Sequence, residues 1–400
     1  MRICHVLETG GGGSAQIVFQ LARFALDQGE DVTILYAPDR AESGFITALS
    51  SLSGIQIAQL PMSRSVGPRD FRDCWRLYQL LRRIGPFDVI HAHSSKAGAL
   101  ARLASLFLKD AVVVYTPHCF FSMTPGAPRA YALIERALSW ISTKIVAVSE
   151  HEFQHALEIG IQKDKVTVIP NGTGGSCRSS RDEARKLLGV DDATIVIGFV
   201  GRLEPQKNPV RAILAFREIA SRYPHVRLVM IGDGKLRAAV EETLGVLNPG
   251  SRVSLLGYYD AGLVIPGFDC LLCSSNFEAF PVVFLEALAA GVPIVTTPVG
   301  GAEETVIDGV TGFIAEAATA EALASATEKL LLCSADQRQK MVENAKSHSR
   351  LFTIETMGAR YTELYKQCHQ KNRLRRQASF TARCLSIVGR LSAKKRISVE

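Results

Sequence analysis

Short apolar runs rich in β-branched residues alternate with amphipathic stretches of helical length along most of the chain. Such alternation predicts an α/β fold in which parallel strands carry helices on both faces. The strand-like runs form two series: RICHVL, DVTILYA, DVIHAH, AVVVYTP and KIVAVS, then TIVIGFVG, VRLVMIG, RVSLLG, DCLLCSS and VPIVTT. Helical patterns such as AQIVFQLARFALDQG and NPVRAILAFREIASRY lie between them. The pattern therefore predicts two doubly wound, Rossmann-like units.

A segment rich in Gly and Ser, VIPNGTGGSCRSSRDE, separates the two series. A chain of 400 residues is also longer than one ordinary core requires. We therefore predict an N-terminal domain at 1–172, a C-terminal domain at 173–368 whose last helix crosses back to the first domain, and a basic tail at 369–400. Because ligands bind at the carboxyl ends of strands in such sheets, two facing units predict a cleft between them.

Composition narrows the setting of the protein. Hydrophobic residues make up 47% of the chain, yet no apolar run approaches the roughly 18 residues of a membrane-spanning helix. The first apolar run ends at Glu8, which favours a buried strand over a secretory signal and predicts a cytoplasmic protein. Nine cysteines without regular spacing predict free thiols. Cys270 and Cys273 have no second ligand pair at finger-like spacing, so we assign them to a strand rather than to zinc.

The net charge of +7 is concentrated at the end of the chain. Residues 366–400 contain ten Lys or Arg and one acidic residue, which leaves residues 1–365 at about −2. A body of that charge argues against nucleic-acid binding. The tail predicts an anionic membrane surface as partner, since Leu374, Leu385 and Leu391 share one helical arc opposite most of its arginines. The Arg-rich stretch from Arg64 to Arg83 is a second candidate, and a solvated helix face is the alternative for both.

Four glycines, Gly10 to Gly13, follow the first predicted strand and precede a helix expected to begin near Ser14. Glycine there allows a ligand to approach the backbone and the helix N-terminus. The run also matches G-x-G-x-x-A through Ala15, which permits a dinucleotide site if Asp39 is its acidic residue. A tight strand-to-helix turn without a ligand is the other possibility.

The loop GFVGRLEPQKNP in the second series places Arg202 and Lys207 just before a helix. Asn208 and Pro209 have the residue types preferred at the N-cap and at the first helical position. Two cations at a helix N-terminus suit the charge that develops on a leaving diphosphate. A solvated surface loop is the alternative.

Glu278 and Glu286 lie in SSNFEAFPVVFLEALAAGVPIVTTPVGG, with seven residues between them. Glu278 should lie in the loop after a strand, and Glu286 in the early turns of a helix that begins near Val282. Both carboxylates would then face the strand-end cleft, where they can accept hydrogen bonds from ribose or sugar hydroxyls. Helix-dipole complementarity alone could also account for Glu286.

These motifs together resemble the retaining nucleotide-sugar glycosyltransferases of family four, which have two facing Rossmann-like domains (the GT-B fold). The resemblance rests on G-R-L-x-x-x-K, on E-x7-E and on EALAAGVPIV, and it spans Gly10 to about Tyr365. It implies that Arg202 and Lys207 hold the donor diphosphate, that Glu286 binds ribose and that Glu278 contacts the donor sugar. The other expected donor contacts are Gly12, Gly13, Phe280, Pro281 and Val282.

The resemblance also implies a role for His118, in YTPHCFF, next to the donor sugar. His91 and His93, in DVIHAHSSKAG, either line the acceptor cleft or are hydrogen-bonded core residues. The sequence departs from the family at Ala279 and Pro281, where glycines are more usual. Pro281 removes a backbone donor and so leaves the donor hydroxyl pattern open.

No D-x-D pair occurs in the sequence, which with Arg202 and Lys207 predicts leaving-group stabilisation without a metal. Retention is implied by the resemblance. The leading hypothesis is hexose transfer from a UDP- or GDP-sugar, as co-substrate and without a further cofactor, to a polyprenyl-diphosphate-linked glycan at the inner face of the membrane. A dinucleotide-dependent oxidoreductase and a catalytically silent sugar-nucleotide-binding protein are the alternatives.

Overall fold

The computed structural model describes residues 1–62, 67–108, 111–174, 177–248 and 250–397, without side-chain positions at 251, 375, 376 and 378–397. Two parallel sheets form the framework of this part of the chain. The strands are β1 (Arg2–Leu7), β2 (Asp31–Tyr36), β3 (Gln56–Gln59), β4 (Val89–His93), β5 (Val112–Thr116), β6 (Lys144–Ala147), β7 (Val166–Val168), β8 (Ile195–Val200), β9 (Val226–Ile231), β10 (Val253–Gly257), β11 (Cys270–Cys273), β12 (Ile294–Thr296) and β13 (Gly312–Ile314).

Helices connect these strands and cover the sheets. They are α1 (Gly12–Asp27), α2 (Ser43–Ser50), α3 (Arg69–Ile84), α4 (Ser95–Ser105), α5 (Arg129–Ser139), α6 (Glu150–Glu158), α7 (Arg181–Leu188), α8 (Pro209–Ala220), α9 (Arg237–Leu247), α10 (Ala261–Val264), α11 (Val282–Ala290), α12 (Ala302–Thr305), α13 (Ala320–Leu332), α14 (Ala335–Ser349) and α15 (Ile354–Ile397).

The first sheet has the strand order β3-β2-β1-β4-β5-β6-β7, and the second has β10-β9-β8-β11-β12-β13. The strand order reverses between β1 and β4 in the first sheet and between β8 and β11 in the second. Crevices form at the carboxyl ends of such strand pairs because the connecting helices leave to opposite faces. The fold therefore places loop residues after β1, β4, β8 and β11 where ligands bind.

The ten apolar runs of the sequence all form strands, as predicted. The structure adds β3 and β13 at sheet edges, and β7 ends at Val168, where the Gly- and Ser-rich segment begins. Strand β3 reads QIAQ and is largely exposed, so it has neither an apolar run nor a buried alternating face. Helix α1 begins at Gly12, two residues before the predicted start, because Gly11 is its N-cap.

The last helix, α15, packs against the first domain after the chain has completed the second sheet. Met357, Tyr361, Leu364, Tyr365 and Cys368 are buried in the same core cluster as residues of α1. The predicted boundary at 172/173 lies between β7 and β8, the last strand of one sheet and the first of the other.

Helix α15 continues to Ile397. Most side chains of the predicted amphipathic tail, at 375, 376 and 378–397, lie outside the described residues, so the tail stays a prediction. Within the described residues, no helix combines the length and apolarity needed to span a bilayer.

Candidate active site

The loop after β8 forms the floor of the candidate site. Asn208 caps α8, as predicted, with its side chain accepting from the Arg211 backbone N–H at 3.2 Å, and Pro209 is the first helical residue. The Ser274 hydroxyl, just after β11, lies 2.9 Å from the carbonyls of both Lys207 and Asn208. The loop is thereby fixed to the end of β11, across the switch point of the second sheet.

Lys207 and Glu278 form a mostly buried ion pair at this position. Lys207 Nζ lies 2.6 Å from Glu278 Oε1, and the side chains are 18% and 8% exposed. Ser275 Oγ also donates to Glu278 Oε1 at 2.7 Å. Burial acts to lower the pKa of Lys207, but the charge of Glu278, its hydrogen bond and the nearby Cys273 together outweigh it, and the pKa is raised. The ammonium group is therefore held charged at the switch point of the second sheet.

Arg202 belongs to the same loop but is held differently. Its side chain is 58% exposed, and Nη1 is 3.5 Å from Glu204 Oε2. An exposed pair of this kind contributes little to stability and restrains the guanidinium weakly. Arg202 is free to turn toward an anion.

Glu286 connects the two domains. It lies in the second turn of α11, as predicted, and its Oε1 accepts from Gln16 Nε2 of α1 at 3.0 Å. Burial raises the pKa of Glu286, while the hydrogen bond from Gln16 opposes that shift. A carboxylate with one oxygen so engaged still has acceptor capacity for a diol.

The N-termini of α1 and α11 face each other near these groups. A Cβ atom at Gly13 would lie 3.2 Å from Val282 Cγ2, so the small residue allows the close approach. Gly12 has φ +70, a conformation that glycine adopts readily. Pro281 is the N-cap of α11, where its missing N–H breaks no helical bond. Two helix N-termini that lie against each other provide a favourable environment for an anion.

The segment between Glu278 and α11 is packed rather than open. Phe280 is 4% exposed, and its ring lies 5.6 Å from the ring of Phe352. The Phe280 carbonyl accepts from Asn171 Nδ2 at 3.1 Å. The Phe280 side chain thus supports the loop from the core. Gly300 and Gly301 allow the loop to pass this close, because a Cβ on either would collide with its backbone.

His118 lies in a strained loop after β5. His118 and Cys119 have φ of 54 and 102, both in the left-handed region that disfavours side chains. The Glu152 carboxylate holds this loop by accepting from the backbone N–H groups of Cys119 and Val148 at 2.7 and 2.8 Å. Burial raises the pKa of Glu152 to about 7, although the backbone hydrogen bonds act to lower it.

The role of Glu152 in holding the His118 loop was not predicted from the sequence. A signal was present in Ser-x-x-Glu after β6, the pattern of a helix N-cap. Ser149 does cap α6, accepting from the Glu152 N–H at 3.1 Å. The side chain of Glu152, however, reaches the His118 loop, which the local pattern does not indicate.

His91 and His93 are fully buried core residues, which decides between the two alternatives left open by the sequence. Together with His5 they place ligand-type atoms within 4.8 Å of one another. Both ring nitrogens of His91 are occupied, by the Tyr365 hydroxyl at 2.6 Å and Thr116 Oγ1 at 2.8 Å. A metal ion would have to displace these hydrogen bonds, so we assign the cluster no metal.

The dinucleotide alternative does not fit the glycine loop. Asp39 is exposed in a short turn beyond β2. The following segment crosses the loop, with Gly10 N–H donating to the Arg40 carbonyl at 3.1 Å and Glu42 N–H donating to the Gly10 carbonyl at 3.0 Å. The Glu42 side chain lies directly against Gly11. The space that a dinucleotide would need beside this loop is filled by the chain itself.

Comparison with known proteins agrees with this geometry. The family described as "Glycosyltransferase Family 4" matches residues 11–173, and "Glycosyl transferases group 1" matches residues 180–348. An α-1,3-galactosyltransferase of Escherichia coli, named as acting from UDP-Gal on α-D-GlcNAc-diphosphoundecaprenol, is 28% identical over 62% of this chain and 67% of its own length. The capsular polysaccharide glycosyltransferase CapM of Staphylococcus aureus is 26% identical over 68% of this chain and 74% of its own.

The fold is shared with solved structures. The Anabaena protein HepE, in complex with UDP and glucose, superposes with a TM-score of 0.80 at 22% identity, covering 92% of this chain and 99% of HepE. The two matched families cover most of the two domains, and the two parallel sheets agree with the fold of the solved structures. The chain is therefore a glycosyltransferase of family four, group 1, with the GT-B fold.

Proposed function

We propose that this glycosyltransferase moves a hexose from a UDP- or GDP-sugar to a glycan acceptor, with retention of anomeric configuration and without a metal ion. The observation that carries the proposal is the Lys207–Glu278 pair, held at 2.6 Å on the switch point of the second sheet. A cation with a raised pKa at that position complements a leaving diphosphate, and the adjoining helix N-termini add N–H donors.

Each polar group of the site has a role in this reaction. The bond between sugar C1 and the phosphate oxygen breaks, and the diphosphate leaves with the bonding electrons. Lys207 and Arg202 stabilise the charge that it gains. Glu286 accepts from the ribose hydroxyls and Glu278 from a donor-sugar hydroxyl, while His118 faces the sugar from the first domain. The acceptor hydroxyl gives its proton to the departing phosphate oxygen and forms the new bond to C1 on the face that the diphosphate left.

Metal independence rests on the sequence and on the charges of the site. The sequence has no D-x-D pair, which a divalent ion would need to bridge protein and diphosphate. Lys207 and Arg202 supply positive charge instead.

Glu278 is already paired with Lys207, so it is poorly placed to act as a covalent nucleophile.

A nucleotide thermal-shift panel tests donor binding and separates the alternatives. We expect UDP or GDP to raise the melting temperature, and NAD to have no effect. Glu286→Gln should reduce the shift, whereas the exposed control Glu343→Gln should keep it. Stabilisation by NAD alone would favour an oxidoreductase. Nucleotide binding without consumption of any UDP- or GDP-hexose would favour a silent binding protein.

We propose a polyprenyl-diphosphate-linked oligosaccharide as the acceptor, in the synthesis of an exopolysaccharide, capsule or O-antigen. The relatives support this: one is named for an undecaprenol-linked acceptor and another for capsule synthesis. An acceptor of that kind lies in a membrane, so the protein must work at its surface.

Helix α3 provides a face suited to an anionic membrane. Phe71 and Trp75 are 84% and 55% exposed one turn apart, and Arg72 and Arg76 lie beside them, also exposed. Exposed aromatic and basic residues on one helix are typical of interfacial binding.

The arginines of α3 outnumber its acidic residues, five to two. Asp73 is buried with its Oδ1 3.9 Å from Arg72 Nε, and Asp70 lies 2.8 Å from Lys96 Nζ of α4. The outward face of α3 is therefore basic. We propose it as the membrane contact and an anionic leaflet as its partner.

The same face leads to the cleft. Lys96, which binds Asp70 at the start of α3, is the second residue of α4, and α4 follows directly on β4 and His93. The start of α3 therefore lies near the carboxyl end of β4. An acceptor with its lipid in the membrane would have a short path to His118.

Vesicle sedimentation tests this face. Phe71→Ser combined with Trp75→Ser should weaken binding to phosphatidylglycerol vesicles, while Val246→Ser, 79% exposed on α9, should not. Arg72→Ala combined with Arg76→Ala should weaken it roughly 30-fold, at about 1 kcal/mol for each charge. Unchanged binding by both double variants would exclude α3 and leave the tail.

A further inference from the structure

Three histidines from different segments form one line of hydrogen bonds that ends at His118. His5 Nδ1 of β1 lies 3.0 Å from His93 Nε2 of β4, and His93 Nδ1 lies 3.0 Å from His118 Nε2. Strands β1, β4 and β5 are neighbours in the sheet, so the line follows their carboxyl ends. His93 uses both ring nitrogens, one toward each neighbour.

The line couples the tautomers of the three rings. A neutral imidazole has one N–H donor and one acceptor nitrogen, and each contact needs one of each. If His118 donates from Nε2, then His93 donates from Nε2 to His5, and Nδ1 of His118 is an acceptor. If His5 donates, the order reverses and Nδ1 of His118 carries the proton. The state of His93 thus decides whether the remaining nitrogen of His118 accepts or donates.

The surroundings keep these rings neutral. Burial lowers the pKa of His118 and of His5 to about 4. Burial, and then repulsion by His91, His5 and His118, lowers the pKa of His93 further. Three neutral rings can keep one donor and one acceptor nitrogen in each contact. An added proton would turn an acceptor nitrogen into a donor, so that two N–H groups would face each other.

The hydrogen bonds made by His91 hold the line of His5, His93 and His118 in place. The His91 ring lies 3.9 Å from the ring of His93, and its nitrogens contact the Tyr365 hydroxyl and Thr116 Oγ1. The Tyr361 hydroxyl lies 3.2 Å from Thr116 Oγ1. The tyrosines belong to α15, so the returning helix helps to hold His93 in place.

We propose that His93 and His5 are positioning residues that hold His118 in one orientation and one tautomer, for a hydrogen bond to a hydroxyl of the bound sugar. This inference rests on the proposed function for the identity of that hydroxyl. The line itself is a property of the free protein. His118 makes this contact from a left-handed backbone with φ of 54, a conformation that persists only where the surroundings hold it.

Two conservative variants of His93 separate its two contacts. The amide of Asn occupies the position of Nδ1 and can still reach His118, whereas the amide of Gln occupies that of Nε2 and can still reach His5. We expect His93→Asn to recover at least a third of wild-type kcat and His93→Gln to lose at least tenfold. The KM for the donor should change little in both. His225→Gln, an exposed histidine of the second domain, is the control.

Nitrogen-15 NMR of the imidazole rings in the free protein gives a readout that needs no substrate. Wild type and His93→Asn should show His118 as one neutral tautomer from pH 8 to pH 5.5, and His93→Gln should show a mixture or a raised pKa. The same His118 spectrum in all three proteins, or equal kcat for the Asn and Gln variants, would overturn the inference. Failure of the proposed function would instead appear as an ordered His118 in a protein that consumes no nucleotide sugar.

Discussion

Lys207 and Arg202 are equivalent in the sequence motif but not in their surroundings. Lys207 is paired with the buried Glu278, and Arg202 is largely exposed. Their contributions to catalysis should therefore be similar while their contributions to stability differ.

We predict that Lys207→Ala and Arg202→Ala each raise the transition-state free energy by about 2 to 4 kcal/mol, because each removes charge stabilisation of the leaving diphosphate. Lys207→Ala should also lower the melting temperature, since it leaves Glu278 buried without its cation, at a cost of about 3 to 5 kcal/mol. Steady-state kinetics and calorimetry measure both effects. The exposed Arg217→Ala is the control. Activity of either variant within threefold of wild type would contradict the assignment.

For single residues, the sequence predicted their place in a helix or loop better than it predicted which residues they contact. It placed Lys207 before α8, Glu278 in a loop and Glu286 in the early turns of α11 because spacing and capping are local properties. It did not predict that Gln16 would bind Glu286, or that Glu152 would hold the His118 loop, since those contacts join residues that are 270 and 33 positions apart.

The strand ends of the first sheet collect ionisable groups whose burial links folding to pH. His5 and His118 have a folded pKa of about 4, below the ordinary 6.5. The unfolded chain therefore binds more protons than the folded protein between pH 6.5 and 4. The stability that they contribute is present above pH 6.5 and is lost as the pH falls through that range.

We predict that the free energy of unfolding falls between pH 6.5 and pH 5 by about 1.4 kcal/mol per pH unit for each such histidine. Glu152 acts in the opposite sense, because its pKa is raised to about 7 and protonation in that range favours the folded state. The pKa values of His91 and His93 are also lowered well below the ordinary value. The four histidines together therefore outweigh the opposite effect of Glu152. Thermal unfolding at both pH values should show a smaller pH dependence in His5→Gln than in wild type or His225→Gln. Equal dependence in all three would contradict the account.

Strands could be predicted from the sequence where burial imposes a run of apolar residues. The central strands are apolar throughout because helices cover both faces of a parallel sheet. Strands β3 and β13 lie at sheet edges, and β3 is largely exposed, so neither shows such a run. Nothing local in the sequence marks the left-handed turn at His118 and Cys119, because no glycine stands there.

Polar contacts join the two domains. Besides the bond from Gln16 to Glu286, Asn171 Nδ2 donates to the Phe280 carbonyl, and the Glu150 N–H donates to Glu304 Oε1 at 2.8 Å. Helix α15 adds an apolar contact to the first domain and the hydrogen bonds of Tyr365 and Tyr361 to His91 and Thr116. A donor bound through Glu286 would contact the same carboxylate that holds Gln16, which links donor binding to the relation between the domains.

We predict that a chain ending at Gln370 folds and binds nucleotide, because the buried residues of α15, through Cys368, remain. It should dissociate from anionic vesicles at a lower salt concentration than the full chain, since only one of the ten basic residues of 366–400 remains. Calorimetry and vesicle sedimentation measure these outcomes. Equal salt dependence of both chains would show that the tail contributes nothing to membrane binding.

The measurement that tests the central claim most directly is sugar transfer from labelled UDP- and GDP-hexoses to lipid-linked oligosaccharides in the presence of EDTA. We expect one donor to label the lipid extract at an undiminished rate, with the product keeping the anomeric configuration of the donor. Lys207→Ala and Glu278→Gln should abolish most of the transfer, and Arg217→Ala should not. Loss of transfer in EDTA with rescue by Mn²⁺, or an inverted product, would contradict the account.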